Sequence, residues 1–154
     1  LNVSEEGLQG GIADDASITG SQDTTNQTSA EGQLNIANTS ELSMGIPVGT
    51  YTSNGVAITW NLSSDKQRLI GTVADNKVVE ITVDNQGKVT SQLHAVFDHT
   101  NNGGEDDLVI DIPIEAQNSS GISSTSTITI VIEDDAPIAN ADVASINVLA
   151  DSFN

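Results

Sequence analysis

Residues 127–132 read Thr-Ile-Thr-Ile-Val-Ile. Successive side chains of an extended strand point to opposite faces, so Ile128, Ile130 and Ile132 share one face and Thr127 and Thr129 the other. Residues 108–115 repeat the pattern, with Leu108, Ile110, Ile112 and Ile114 alternating with Val109, Asp111, Pro113 and Glu115. Period-two patterning of this kind predicts two half-buried strands. Pro113 has no amide hydrogen to give a ladder, which predicts an exposed edge or a bulge beside it.

Shorter apolar runs at 56–62, 69–74, 77–83, 89–97 and 34–36 add further strand candidates. The connections carry turn chemistry: Ser63-Ser64-Asp65, Asp75-Asn76, Asp84-Asn85-Gln86-Gly87 and Asn118-Ser119-Ser120-Gly121. Ser, Thr, Asn and Asp number 17, 15, 14 and 14, together 60 of 154 residues, which favours turns over helix interiors. The expectation is an all-β chain, an antiparallel β-sandwich with hairpins and Greek-key crossings. Its core should hold Leu108, Ile110, Ile112, Ile114, Ile128, Ile130, Ile132 and Trp60. Residues 10–32 are polar and irregular and read either as a long loop or as a poorly ordered insertion.

Twenty-two acidic residues against 4 basic ones give a formal net charge of −18. That balance argues against a nucleic-acid partner, which needs a basic surface, and against direct contact with an anionic membrane. Without Cys there is no disulfide and no thiolate metal site. No apolar run approaches the ~20 residues of a membrane helix, and the opening residues show no signal-peptide pattern. All four basic residues, Lys66, Arg68, Lys77 and Lys88, fall within 66–88. They read either as solvated hairpin charge or as a basic face that meets an acidic neighbouring module.

Catalysis finds little support. There is no G-x-S-x-G elbow and no H-E-x-x-H, and the histidines are His94, in an expected strand, and His99, a turn residue within reach of a metal. The expectation is that the chain is not an enzyme. Carboxylates, in contrast, cluster at Glu5-Glu6, Asp14-Asp15, Glu105-Asp106-Asp107 and Glu133-Asp134-Asp135. Most flank strands, so they should gather at the ends of a sandwich. There they repel one another unless a cation neutralises them. Calcium takes 6–8 oxygen ligands and suits such clusters.

Residues 98–107 are the most ligand-like stretch, with oxygen side chains at the first, third and fifth positions and Gly at the sixth. The twelfth position is Val109, which departs from an EF-hand. The expected calcium ligands are Asp98, Asn102, Glu105, Asp106, Asp107, Asp134, Asp135, Glu5, Glu6, Asp14, Asp142 and Asp151.

Residues 1–8 and 146–153 also echo one another: Leu1 with Ile146, Asn2 with Asn147, Val3 with Val148, Glu6 with Asp151 and Leu8 with Phe153. Asp134-Asp135-Ala136-Pro137 reads as a linker just upstream. The expected organisation is one module over 1–137, followed over 138–154 by a linker and the first strand of a second copy.

Several motifs occur in one order: Val-Ser-Glu-Glu-Gly-Leu from Val3, Val-Ala-Ile-Thr-Trp-Asn-Leu from Val56, Gly-Thr-Val-Ala-Asp from Gly71, Asp98-His99 through Glu105, and Thr-Ile-Thr-Ile-Val-Ile-Glu-Asp-Asp-Ala-Pro from Thr127. Over residues 1–137 the chain resembles the Ig-like tandem repeat of giant bacterial RTX adhesins exported by type I secretion. Thr100-Asn101 replaces the Pro-Asp common after Asp-His in that family, and Gln117–Gly121 replaces its acidic D-x-D-G run.

The resemblance implies an Ig-like sandwich at the bacterial cell surface, an extender between a membrane-anchored end and a ligand-binding tip. Its role would be in cell adhesion and biofilm formation. Calcium would stiffen the module and its junctions, its partners would be neighbouring repeats of the same chain, and the isolated module would be monomeric. Two rival readings are a sugar- or protein-binding module built around Tyr51 and Trp60, and a hydrolase using paired carboxylates in a cleft.

Overall fold

The two alternating stretches pair with each other in the computed structural model, which describes residues 1–12, 25–100 and 106–135. In chain order the strands are β1 (Asn2–Ser4), β2 (Ser29–Gln33), β3 (Glu41–Met44), β4 (Thr52–Ser53), β5 (Val56–Ala57), β6 (Thr59–Leu62), β7 (Arg68–Val73), β8 (Asn76–Val83), β9 (Lys88–Leu93), β10 (Asp107–Gln117) and β11 (Ser123–Glu133). A 3-10 turn, Glu5–Gly7, follows β1. One sheet has the order β1-β11-β10-β3, a second has β2-β9-β8-β7-β6, and β4 and β5 form a separate hairpin.

β10 and β11 run antiparallel from Asp107 opposite Glu133 to Gln117 opposite Ser123, which sets Ile110 against Ile130 and Ile112 against Ile128. Ile110, Ile112, Ile130 and Ile132 are wholly shielded from solvent. They share one apolar cluster with Leu69, Val79, Ile81, Val89 and Leu93 of the second sheet. Burying each such side chain is worth about 1.5–3 kcal/mol, so this cluster sets the relation of the two sheets. Pro113 lies just where the β10–β3 ladder begins, at Ile114 opposite Met44, as an edge proline should.

Several expectations change. The first sheet is mixed rather than antiparallel, because β1 runs parallel to β11, with Asn2 opposite Val131 and Ser4 opposite Glu133. The run 56–62 breaks at Ile58, whose amide donates to the Tyr51 carbonyl at 2.8 Å, so its first part joins the small hairpin and its second the large sheet. The run 89–97 leaves the sheet after Leu93. β2 overlaps the end of the 10–32 stretch: Ser-Ala-Glu-Gly-Gln has no apolar alternation, and its pairing to β9 supplies what its side chains do not. β3 was not expected, and 34–36 is not a strand. Trp60 and Leu108 sit half-buried at the margin of the core.

β7 and β8 carry a register shift after Gly71, where Gly71 faces Val79 and Thr72 faces Lys77. Val78 is therefore an extra residue, and both Val78 and Val79 are buried. The bulge lets Lys77 and Glu80, which an unbroken strand would place on opposite faces, meet on one. A Cβ on Gly71 would lie 2.9 Å from Ile58 and 3.0 Å from Trp60, so these two side chains occupy the space a larger residue would need.

Candidate metal centre

One end of the first sheet collects acids from three places in the chain and a histidine from a fourth. β1 carries Val3 into the core and delivers the chain to the 3-10 turn, whose cap is Ser4; the Ser4 Oγ accepts from the Glu6 amide at 3.1 Å. The Leu8 amide closes the turn onto the Glu5 carbonyl at 2.9 Å. Gly11 then passes so close that a Cβ there would sit 2.5 Å from the Glu5 carbonyl oxygen and 2.6 Å from that of Glu6. This wrapping leaves Glu5 only 2% exposed.

After β9, Phe97 anchors in the core and its amide donates to Glu5 Oε1 at 2.6 Å. Two residues on, the His99 side chain is 3% exposed, with Nε2 at 3.3 Å from Glu5 Oε1 and Nδ1 at 3.4 Å from Asp106 Oδ1. Among the described residues neither His99 Nδ1 nor Asp106 Oδ1 has a hydrogen-bond partner. Asp106, just before β10, is steadied by Thr100, whose hydroxyl donates to Oδ2 at 3.1 Å, and its carbonyl accepts the Asp134 amide at 3.3 Å. Past the end of β11, Asp134 brings a carboxylate to the same place. One ligating atom each from Glu5, His99 and Asp134 lies within 4.8 Å of the others. A buried Glu/His/Asp cluster with the spacing of a metal site is thus present.

The electrostatics show the strain of this gathering. Burial pushes the Glu5 carboxyl above its usual 4.5, against the hydrogen bonds from His99 and Phe97. Burial likewise raises Asp134 above 3.8, and the charges of Asp135 and Asp106 add to it while His99 opposes. For His99, burial alone would lower the pKa below 6.5, but the hydrogen bond to Glu5 and the charges of Asp134, Glu5 and Asp106 outweigh it and raise the value. The cluster holds protons more tightly than its members would in water, the behaviour of a seat for positive charge.

The expected ligands divide. Glu5, Asp106 and Asp134 converge here. Glu6 is buried on the adjoining turn, Asp107 is exposed opposite buried Glu133, and Asp135 donates its amide to Asp134 Oδ1 at 2.9 Å. Asp98 stands apart from this cluster, beside the β4–β5 hairpin. Its Oδ2 accepts the Gly55 amide at 2.7 Å, and bonds from the Thr52 side and Gly55 hold its pKa below 3.8, so it braces the β4–β5 turn. Asn102, Glu105, Asp14, Asp142 and Asp151 lie outside the described residues, as do the 146–153 echo and the linker from Ala136.

Sequence reasoning placed His99 within reach of a metal but left both it and Glu133 off the ligand set. Glu133 is 3% exposed and its Oε2 accepts the Thr25 amide at 3.3 Å. The available signal for His99 was its place between a core aromatic and an acid run.

Comparison with known proteins returns no matching family model, no matching curated protein and no matching solved structure.

Proposed function

We propose that the chain is a structural extender module of a bacterial surface adhesin, an Ig-like Greek-key sandwich of the RTX tandem-repeat kind, whose acidic pole is closed by calcium. The observation that carries this reading is the cluster itself, which joins Glu5 at the start of the module to Asp134 at its end. A cation there ties the two ends of the fold together, and binding energy available only to the folded chain becomes folding energy. The parallel pairing of β1 with β11 adds support: the chain travels in one direction on entering and on leaving, as a head-to-tail array requires.

Glu5, Asp106 and Asp134 supply oxygens of the type calcium takes, and Glu6, Glu133 and Asp135 stand beside them. Tyr51 and Trp60, the aromatics a sugar-binding groove would use, instead pack edge to face with ring centroids 6.1 Å apart and lean on the core. That favours a structural role over a ligand-binding one.

The test is a melt of the chelator-stripped chain with and without calcium. Free ion at about 100 times its dissociation constant should add ~2.7 kcal/mol per site. Magnesium should do less, since it demands a tighter octahedral shell and sheds water reluctantly. An unchanged melting temperature would end the calcium reading.

A further inference from the structure

The cluster contains a donor that calcium does not need. Calcium and magnesium are hard ions held by oxygen, whereas imidazole nitrogen suits zinc, copper, iron and nickel. His99 is nine-tenths and more buried at 3% exposure, and its nitrogens face carboxylates on both sides. We propose that Glu5, His99 and Asp134 form a mixed nitrogen–oxygen seat for a divalent ion of the zinc class, with Asp106 orienting the imidazole. This rests on the reading of the pole as a cation seat and names the class of ion its inner position prefers.

Three features point the same way. First, a tetrahedral centre with ligands at about 2.0 Å holds them about 3.3 Å from one another. Glu5 Oε1 and His99 Nε2 already stand 3.3 Å apart. Second, a metal-bound histidine ordinarily gives its other ring N–H to a carboxylate. Nδ1 has Asp106 Oδ1 at 3.4 Å, each without another partner, so a small closure completes the carboxylate–histidine–metal arrangement. Third, one ligand and the orienting carboxylate are themselves held. The Phe97 amide fixes Glu5 Oε1 at 2.6 Å, and the Thr100 hydroxyl fixes Asp106 Oδ2 at 3.1 Å. The seat is built from the β1 turn, the segment after β9 and the end of β11, so filling it requires the folded chain.

The test uses the chelator-stripped chain titrated separately with zinc, calcium and cobalt, the last as a spectroscopic probe of zinc-class ligation. Zinc should raise the melting temperature at concentrations at least tenfold below those calcium needs, and cobalt should develop the intense visible bands of four-coordinate nitrogen–oxygen ligation. His99→Gln, which exchanges the nitrogen donor for an oxygen, should lose the cobalt bands and at least tenfold in zinc affinity while its calcium response persists. Asp106→Asn should weaken zinc about 10–100-fold by releasing the imidazole, and it carries the test should His99→Gln fail to fold. His94→Gln, at an exposed histidine, should change nothing.

Calcium stabilisation with no zinc response and no cobalt bands would overturn the inference and leave the calcium reading standing, with His99 a protonated counter-charge to Glu5. Zinc binding unaltered in both His99→Gln and Asp106→Asn would place the ion elsewhere and overturn it too. No response to any cation would remove both readings.

Discussion

Glu80 and Glu5 are the same side chain in opposite circumstances. Glu80, on β8, meets Arg68 Nε at 2.7 Å and Lys77 Nζ at 2.6 Å, and these partners pull its pKa from 4.5 to about 2. Glu5 is more deeply buried, and burial drives its pKa the other way. Lys88 is likewise engaged on the second sheet, with Glu31 at 3.0 Å. One region brings its own cations, placed by a bulge that turns Lys77 toward Glu80. The other gathers acids around a single imidazole. A carboxylate with a partner built in is a finished surface feature, whereas buried carboxylates that share one histidine are stable only with protons or a bound ion.

The scale for breaking this comparison is the shared core. Ile130→Ala, at a position with no exposure, should cost ~2–5 kcal/mol in urea unfolding, equally with and without added cation. A loss within ±0.5 kcal/mol would show that the inner face is misassigned. Next, Glu5→Gln with Asp134→Asn should abolish the calcium stabilisation of ~2.7 kcal/mol expected at a hundredfold excess over the dissociation constant. A retained response would move the ion to the outer acids.

pH separates the two regions without mutation. The raised folded-state pKa values of Glu5 and Asp134 mean that cation-free stability declines as pH climbs from their ordinary 4.5 and 3.8 through those raised values. His99 acts in the same sense: its contribution is complete below 6.5 and is lost as pH rises through its higher folded value. Glu80 has the opposite sign. Its contribution is present above 4.5 and is lost as pH falls toward about 2.

Melting temperatures of the stripped chain should therefore peak in mild acid and fall toward pH 8, and a saturating divalent ion should remove the alkaline decline. A decline identical with and without the ion would contradict the assignment. Smallest, and sharpest in sign, Glu80→Gln should cost about 1 kcal/mol or less, since Arg68 and Lys77 are about half exposed. Glu5→Gln, which keeps an oxygen for the Phe97 amide, should raise cation-free stability. Destabilisation by both would show the two carboxylates to be alike.

The sequence discloses these regions unequally. β10 and β11 are legible from the alternation over 108–115 and 127–132, although both strands extend beyond it to eleven residues. β2 is not, because an edge strand of Ser, Ala, Glu, Gly and Gln owes its form to the ladder on β9. The bulge at Val78 is hidden for a similar reason: two adjacent valines read as ordinary alternation broken once. At the pole, the acid runs announce a cation seat, but no local pattern says that Glu5 meets Asp134 across the length of the chain. Nor does the sequence say that Asp98 accepts the Gly55 amide at 2.7 Å, since an Asp that braces a turn has the same letters as one that does not.

The short parallel contact between β1 and β11 has a mechanical meaning. The Leu1 amino group donates to the Thr129 carbonyl at 2.9 Å, and the Val131 amide returns a bond to the Leu1 carbonyl at 2.8 Å. Tension that draws Leu1 backward and Asp135 forward slides the two strands lengthwise past each other, so these bonds bear load together instead of parting one by one. An ion held by Glu5 and Asp134 bridges the same pair of strands and stands directly in the path of that shear. Pulling single molecules by these two ends should give a higher rupture force with the ion than without it, and an unchanged force would mean that the load travels elsewhere. If that force rises, this corner, built from the shortest strand of its sheet, is the latch of the described fold.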